Sequence, residues 1–89
     1  MKRIAVIAKS RKDEALRMAI GLTLADDRID LFVLDGELED TEKNRLNMET
    51  VDLMEMKAYT NSEGNAGMEL LGTEEIARRL LEYDMVLTY

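Results

Sequence analysis

The sequence predicts one α/β domain spanning residues 1–89, a three-layer α/β/α sandwich around a mostly parallel sheet of four or five strands. Three observations carry this. Short apolar runs alternate with amphipathic stretches along the chain, the pattern that gives parallel strands with right-handed helical crossovers. The first run, Ile4-Ala5-Val6-Ile7-Ala8, is apolar at every position, as expected of a strand covered on both faces. Eighty-nine residues suffice for one core but not for two.

The elements follow in order. After the first strand, Lys9-Ser10-Arg11-Lys12 reads as a polar turn. Asp13 and Glu14 open a helix, where carboxylates oppose the positive end of the helix dipole. Ala15, Leu16, Ala19, Ile20 and Thr23 recur at helical spacing as its buried face, and Asp26-Asp27 ends it. A second strand covers Ile29 to Leu34 and closes on the turn pair Asp35-Gly36. The polar stretch that follows holds a helix N-capped by Thr41, running through Leu46, Val51 and Leu53 to about Met54. Met56 to Thr60 forms a third strand, followed by the loop Asn61 to Gly67, rich in Asn and Gly. Met68 to Leu71 makes a short fourth strand. Thr73 caps a last helix with Ile76, Ala77, Leu80 and Leu81 as its inner face, and Asp84 to Tyr89 gives the final strand.

Composition bounds the chemistry. The chain has no Cys and no His among its 89 residues, so a disulfide framework, thiolate nucleophile, imidazole base or zinc-thiolate site cannot come from it. A small domain without such staples fits a reducing, cytoplasmic compartment. The first apolar run has five residues, against about 7–15 for a signal peptide and about 20 for a membrane helix. The net charge of −7 speaks against nucleic acid or an anionic membrane as partner. Charge is unevenly placed: Lys2, Arg3, Lys9, Arg11 and Lys12 precede any acidic residue, whereas Asp35 to Glu55 is strongly acidic.

In an open parallel sheet, ligands bind outside the carboxyl ends of the strands. That rim comprises Lys9-Ser10-Arg11-Lys12, Asp35-Gly36, Thr60-Asn61-Ser62 and Tyr89. Basic side chains beside a helix N-terminus suit a small anion, which makes Lys9, Ser10, Arg11, Thr60, Asn61 and Ser62 the candidate ligand-binding residues. The plain alternative is a solvated basic turn, because the glycines of a dinucleotide fingerprint and the Gly-Lys-Ser/Thr of a P-loop are missing. The acidic stretch Glu37 to Glu42 lacks the spacing of a calcium loop. A phosphorelay receiver would need carboxylates where Lys9-Ser10 and Thr60 stand. No pair or triad has catalytic spacing, so no catalytic residue, metal ligand or cofactor is assigned. Met48, Met54, Met56 and Met68 read as core filler or as an adaptable contact surface.

Three segments carry a family resemblance: Arg3 to Ala25; Val51-Asp52-Leu53-Met54-Glu55-Met56-Lys57-Ala58-Tyr59-Thr60; and Thr73 through Tyr89. Together they resemble the DsrE/DsrF-like family of small sulfur-relay proteins over nearly the whole chain. The resemblance implies a persulfide-bearing cysteine just after the third strand. The matching place is Thr60, in Tyr59-Thr60-Asn61-Ser62, and a threonine hydroxyl lacks the acidity and nucleophilicity for sulfur transfer. It further implies assembly as a homo-oligomer, or as a hetero-oligomer of like-folded subunits. Small size and an exposed end strand point the same way, since about 60–65% surface burial leaves so short a chain marginal. The leading expectation is therefore a non-catalytic structural or regulatory subunit linked to sulfur metabolism. The alternative is a module that binds a small anion or nucleotide at the rim.

Overall fold

The computed structural model describes residues 2–23 and 28–89. Its elements are β1 (Arg3–Ala8), α1 (Lys12–Thr23), β2 (Arg28–Val33), α2 (Glu42–Leu53), β3 (Lys57–Thr60), β4 (Glu69–Leu70), α3 (Thr73–Leu80) and β5 (Met85–Thr88). The strands form one sheet in the order β4-β3-β2-β1-β5, and every pairing is parallel. The connections through α1 and α2 step the chain outward from β1 to β3. The connection through α3 then carries it back across the sheet to the far side of β1.

That reversal makes three layers. Ile4, Val6 and Ala8 of β1 align with Ile29, Leu31 and Val33 of β2 and pack against Ala15, Leu16 and Ala19 of α1 and Val51 of α2. The alternate residues Ala5, Ile7, Phe32 and Tyr59 face α3, where Ile76, Leu80 and Tyr83 cover them. Both central strands are buried on both sides because neither layer leaves them to water. Among the described residues no helix is long and apolar enough to cross a membrane.

The polar stretch after β2 does form a helix. The Thr41 hydroxyl accepts from the Asn44 amide at 3.1 Å, an N-cap worth about 1 kcal/mol. Its buried face is not the expected one: Val51 is buried, but Leu46 and Leu53 point to water, and Asn44 and Met48 turn inward instead. Asn44 holds its place by donating from Nδ2 to the Glu39 carbonyl at 2.9 Å, which closes the turn ahead of the helix.

The last helix also departs from expectation. Gly72, not Thr73, is the N-cap, with no side-chain bond; Thr73 is the first helical residue. Ile76 is buried and Leu80 partly so, whereas Ala77 is exposed and Leu81 is 86% exposed. Eight residues make only two turns, and a helix so short touches the sheet along the single i, i+4 row of Ile76 and Leu80. Ala77 and Leu81 lie about 100° round from that row. The expected end of the first helix at Asp26-Asp27 lies outside the described residues. Of the methionines, Met48, Met56 and Met68 pack against the core and Met54 is exposed.

Candidate functional site

Parallel strands deliver their carboxyl ends to one rim, and the turns there meet as the strand order requires. Asp35 and Gly36 follow β2 with φ of 59° and 128°. The second value is one that a Cβ disfavours, and it turns the chain back toward the loop after β3. Asn61 Oδ1 accepts from the Asp35 amide at 3.2 Å, and Ser62 Oγ from the Gly36 amide at 3.0 Å. Asn65 completes the join. Its Oδ1 accepts from the Leu38 amide at 2.7 Å, while its Nδ2 donates to the Gly36 carbonyl at 3.1 Å and to Thr60 Oγ1 at 2.9 Å.

Thr60 sits at the centre of this network. Its hydroxyl donates to the Val33 carbonyl at 2.7 Å and accepts from the Ser62 amide at 3.1 Å, and the residue is 1% exposed. The place that the family resemblance matches to a persulfide cysteine is thus a buried hydroxyl fastening β3 to β2. Of the six candidate ligand residues, Thr60, Asn61 and Ser62 are brought together with the β2 turn, through bonds internal to the protein.

Lys9, Ser10 and Arg11 lie on the other side of the rim. The Lys9 and Ser10 amides both donate to the Tyr89 carbonyl, at 2.8 and 2.9 Å. Lys9 Nζ is 3.6 Å from Asp35 Oδ2, which links the two halves of the rim. Arg11 pairs with Glu14 at 3.2 Å and its guanidinium carbon lies 5.9 Å from the Tyr89 ring centroid. Lys12 Nζ donates to the Lys9 carbonyl at 2.7 Å. Lys9 and Arg11 are solvent-exposed, and their ion pairs contribute little to stability.

A cleft of about 470 Å³ opens beside α1, lined by Ser10, Lys12, Asp13, Glu37, Glu39, Thr41, Lys43 and Asn44. Asp13, Glu37 and Glu39 line it together with Lys12 and Lys43, so its walls are mixed in charge. A neighbouring groove of about 570 Å³ runs between the β2 loop and α2, with Leu38, Met48 and Met68 among its walls and a rim that includes Glu49 and Asp52. Neither was visible in the sequence, because both depend on how the loop after β2 folds over Asn65. Among the described residues no group of three or more carboxylates is placed to hold a metal ion.

A second polar cluster lies toward α3, and sequence reasoning missed it. Asp30, 2% exposed in the middle of β2, accepts from the Tyr83 hydroxyl at 2.5 Å, with Arg28 Nε 3.9 Å from its other oxygen. Phe32 stacks on Tyr59 at 5.0 Å and meets Tyr83 edge-on at 5.8 Å. Arg79 lies over Tyr59 at 5.1 Å and Arg3 over Tyr83 at 5.0 Å. Burial, then the bond to Asp30, push the Tyr83 hydroxyl well above its usual range. Burial, then the nearby Asp30 charge, raise Tyr59. A tyrosine hydroxyl is already neutral at physiological pH, and both shifts act in the direction that keeps the proton, so Tyr83 remains a donor to Asp30. A lone Asp inside an otherwise apolar strand was the available signal.

No protein-family model matches the chain, and no curated protein matches it at a significant level. Among solved structures, the crystal structure of the ychN protein from E. coli matches with a TM-score of 0.76 at 18% identity, covering 100% of both chains. At that identity the likeness is one of fold, and the chain has a parallel α/β sandwich of DsrE-like architecture.

Proposed function

We propose that the protein is a non-catalytic subunit, structural or regulatory in role and linked to sulfur metabolism, that works by associating with like-folded chains and does not itself carry a persulfide. One observation carries the reading. At the β5 end of the sheet, Leu81 is 86% exposed and Met85 and Val86 are each 42% exposed, leaving an apolar border on a domain with little surface to spare. Light scattering at high micromolar concentration, with a pull-down from the native cell, tests it. A strict monomer that retrieves neither its own copies nor another protein would sink the reading.

A second reading keeps the rim as a site for a small anion or nucleotide. It is favoured by the exposed cations Lys9 and Arg11 and the half-buried Lys12 around the start of α1, with Lys9 paired to Asp35, whose amide donates to Asn61. The internal bonds of Thr60, Asn61 and Ser62 weigh against it, as do the mixed charges of the adjoining cleft.

A further inference from the structure

We propose that β5 pairs antiparallel with β5 of a second copy about a two-fold axis at Leu87, joining two sheets into one of ten strands; the inference rests on the assembly reading above and names its interface. The backbone sets which groups are free. The Tyr89 amide donates to the Ile7 carbonyl, and the Tyr89 carbonyl accepts from the Lys9 amide, so Tyr89 spends both groups on β1. Alternation along a strand then assigns Leu87 and Met85 to β1 as well. It turns the N–H and C=O of Val86 and Thr88 outward, away from the sheet.

An antiparallel pair centred on Leu87 places Val86 opposite the second copy's Thr88, and the reverse. Each such pair exchanges two hydrogen bonds, so the four outward-facing residues of the seam satisfy one another. The axis falls on the non-hydrogen-bonded pair Leu87–Leu87. Side chains directly opposite share a face, so Leu87 meets Leu87 and Met85 meets Tyr89 on the α1 side, extending the apolar surface of Ile4 and Val6.

Charge agrees with the direction. No side chain of residues 85–89 is charged, so no charged side chain enters the seam despite a net charge of −7. Glu82 and Asp84 lie at the amino end of β5, and the basic segment Lys9 to Lys12 lies beside its carboxyl end at Tyr89. Antiparallel pairing brings Glu82 and Asp84 of each copy, which lie beside Arg3 of β1, toward the Lys9 to Lys12 segment of the other. The opposite edge offers no such seam. β4 has two residues, and Arg79 reaches across to Glu69 at 3.8 Å, the short, charged form in which proteins blunt an edge.

Two variants test this in the full chain. Val86→Pro deletes an outward N–H that β1 does not use, as edge strands tolerate; self-association measured by analytical ultracentrifugation should weaken about tenfold or more, with far-UV circular dichroism unchanged. Leu87→Cys introduces the chain's sole cysteine, about 4.5 Å between Cα atoms from its twin across the axis, within disulfide reach. Mild oxidation should convert it to a covalent dimer, whereas Leu70→Cys on β4 should stay monomeric on a denaturing gel. If the wild type associates but Leu87→Cys fails to crosslink and Val86→Pro associates as before, the β5 seam is wrong and the assembly reading stands. If the wild type is a monomer throughout, the β5 seam is wrong, and the assembly reading falls with it when the pull-down also retrieves no other protein.

Discussion

Replacing Tyr83 with phenylalanine removes one oxygen and isolates the bond that ties α3 and β5 to the centre of the sheet. The ring stays, so its edge contact with Phe32 at 5.8 Å and its stack under Arg3 at 5.0 Å are kept. What is lost is the 2.5 Å bond to Asp30, a carboxylate 2% exposed whose remaining close partner is the Arg28 guanidinium at 3.9 Å. A hydrogen bond to a charged group contributes about 1.5–3 kcal/mol, and stranding its buried acceptor adds to the loss. Tyr83→Phe should therefore cost about 2–3 kcal/mol. For a domain of this size that lowers Tm by about 10–20 °C. Urea unfolding of the single variants and of the double variant with Asp30→Asn gives the coupling directly. The same bond predicts a pH signature. Tyr83 is held above its unfolded value of 10.0, so its contribution is fully present below about pH 10 and is lost as pH rises further. The alkaline fall in stability should be shallower in Tyr83→Phe than in the wild type. A loss below about 0.5 kcal/mol, the scatter of ordinary surface substitutions, would refute this account of the α3 layer.

Asn65→Ala removes the side-chain bonds to Leu38, Gly36 and Thr60 and should cost about 2–3 kcal/mol, with faster hydrogen exchange at the Leu38 amide as the local readout. Unchanged exchange there would show that the two rim loops are held some other way. In a thermal-shift screen, the assembly reading expects phosphate, sulfate, nucleotides and sulfur oxyanions at millimolar concentration to move Tm by less than about 1 °C, since binding to the folded state must raise it. A rise of several degrees that Arg11→Glu abolishes would put the anion-binding reading in front.

The layered α/β fold was legible because its signals are local. The unbroken apolar run Ile4 to Ala8, too short for a helix, fits a strand covered on both faces, and Thr41 sits where a cap is needed ahead of the next helix. The choice of buried face was less legible where elements are short or weakly patterned. Leu46, Leu53 and Leu81 have the composition of core residues and lie in water, because α2 turns Asn44 and Val51 inward and α3 is too brief to bury two rows. Strand order was not legible at all. Each β-α-β unit reads alike along the chain, and only the packed molecule shows that α3 crosses to the other side and leaves β5 at an edge.

The candidate rim was legible by the same rule, since the carboxyl ends of parallel strands must converge. What the residues do there was not. Thr60, Asn61 and Ser62 look like ligand donors in sequence, and the fold employs them in joining the β3 loop to the β2 turn. Asp30 and Tyr83, 53 residues apart, became partners only when α3 folded over the sheet. Composition alone removed thiol and imidazole chemistry from this protein, because no arrangement in space supplies a group the chain lacks. The tertiary structure alone decided which polar groups are spent inside and which backbone edge is left free, because hydrogen bonding and burial depend on what distant segments bring to the same place.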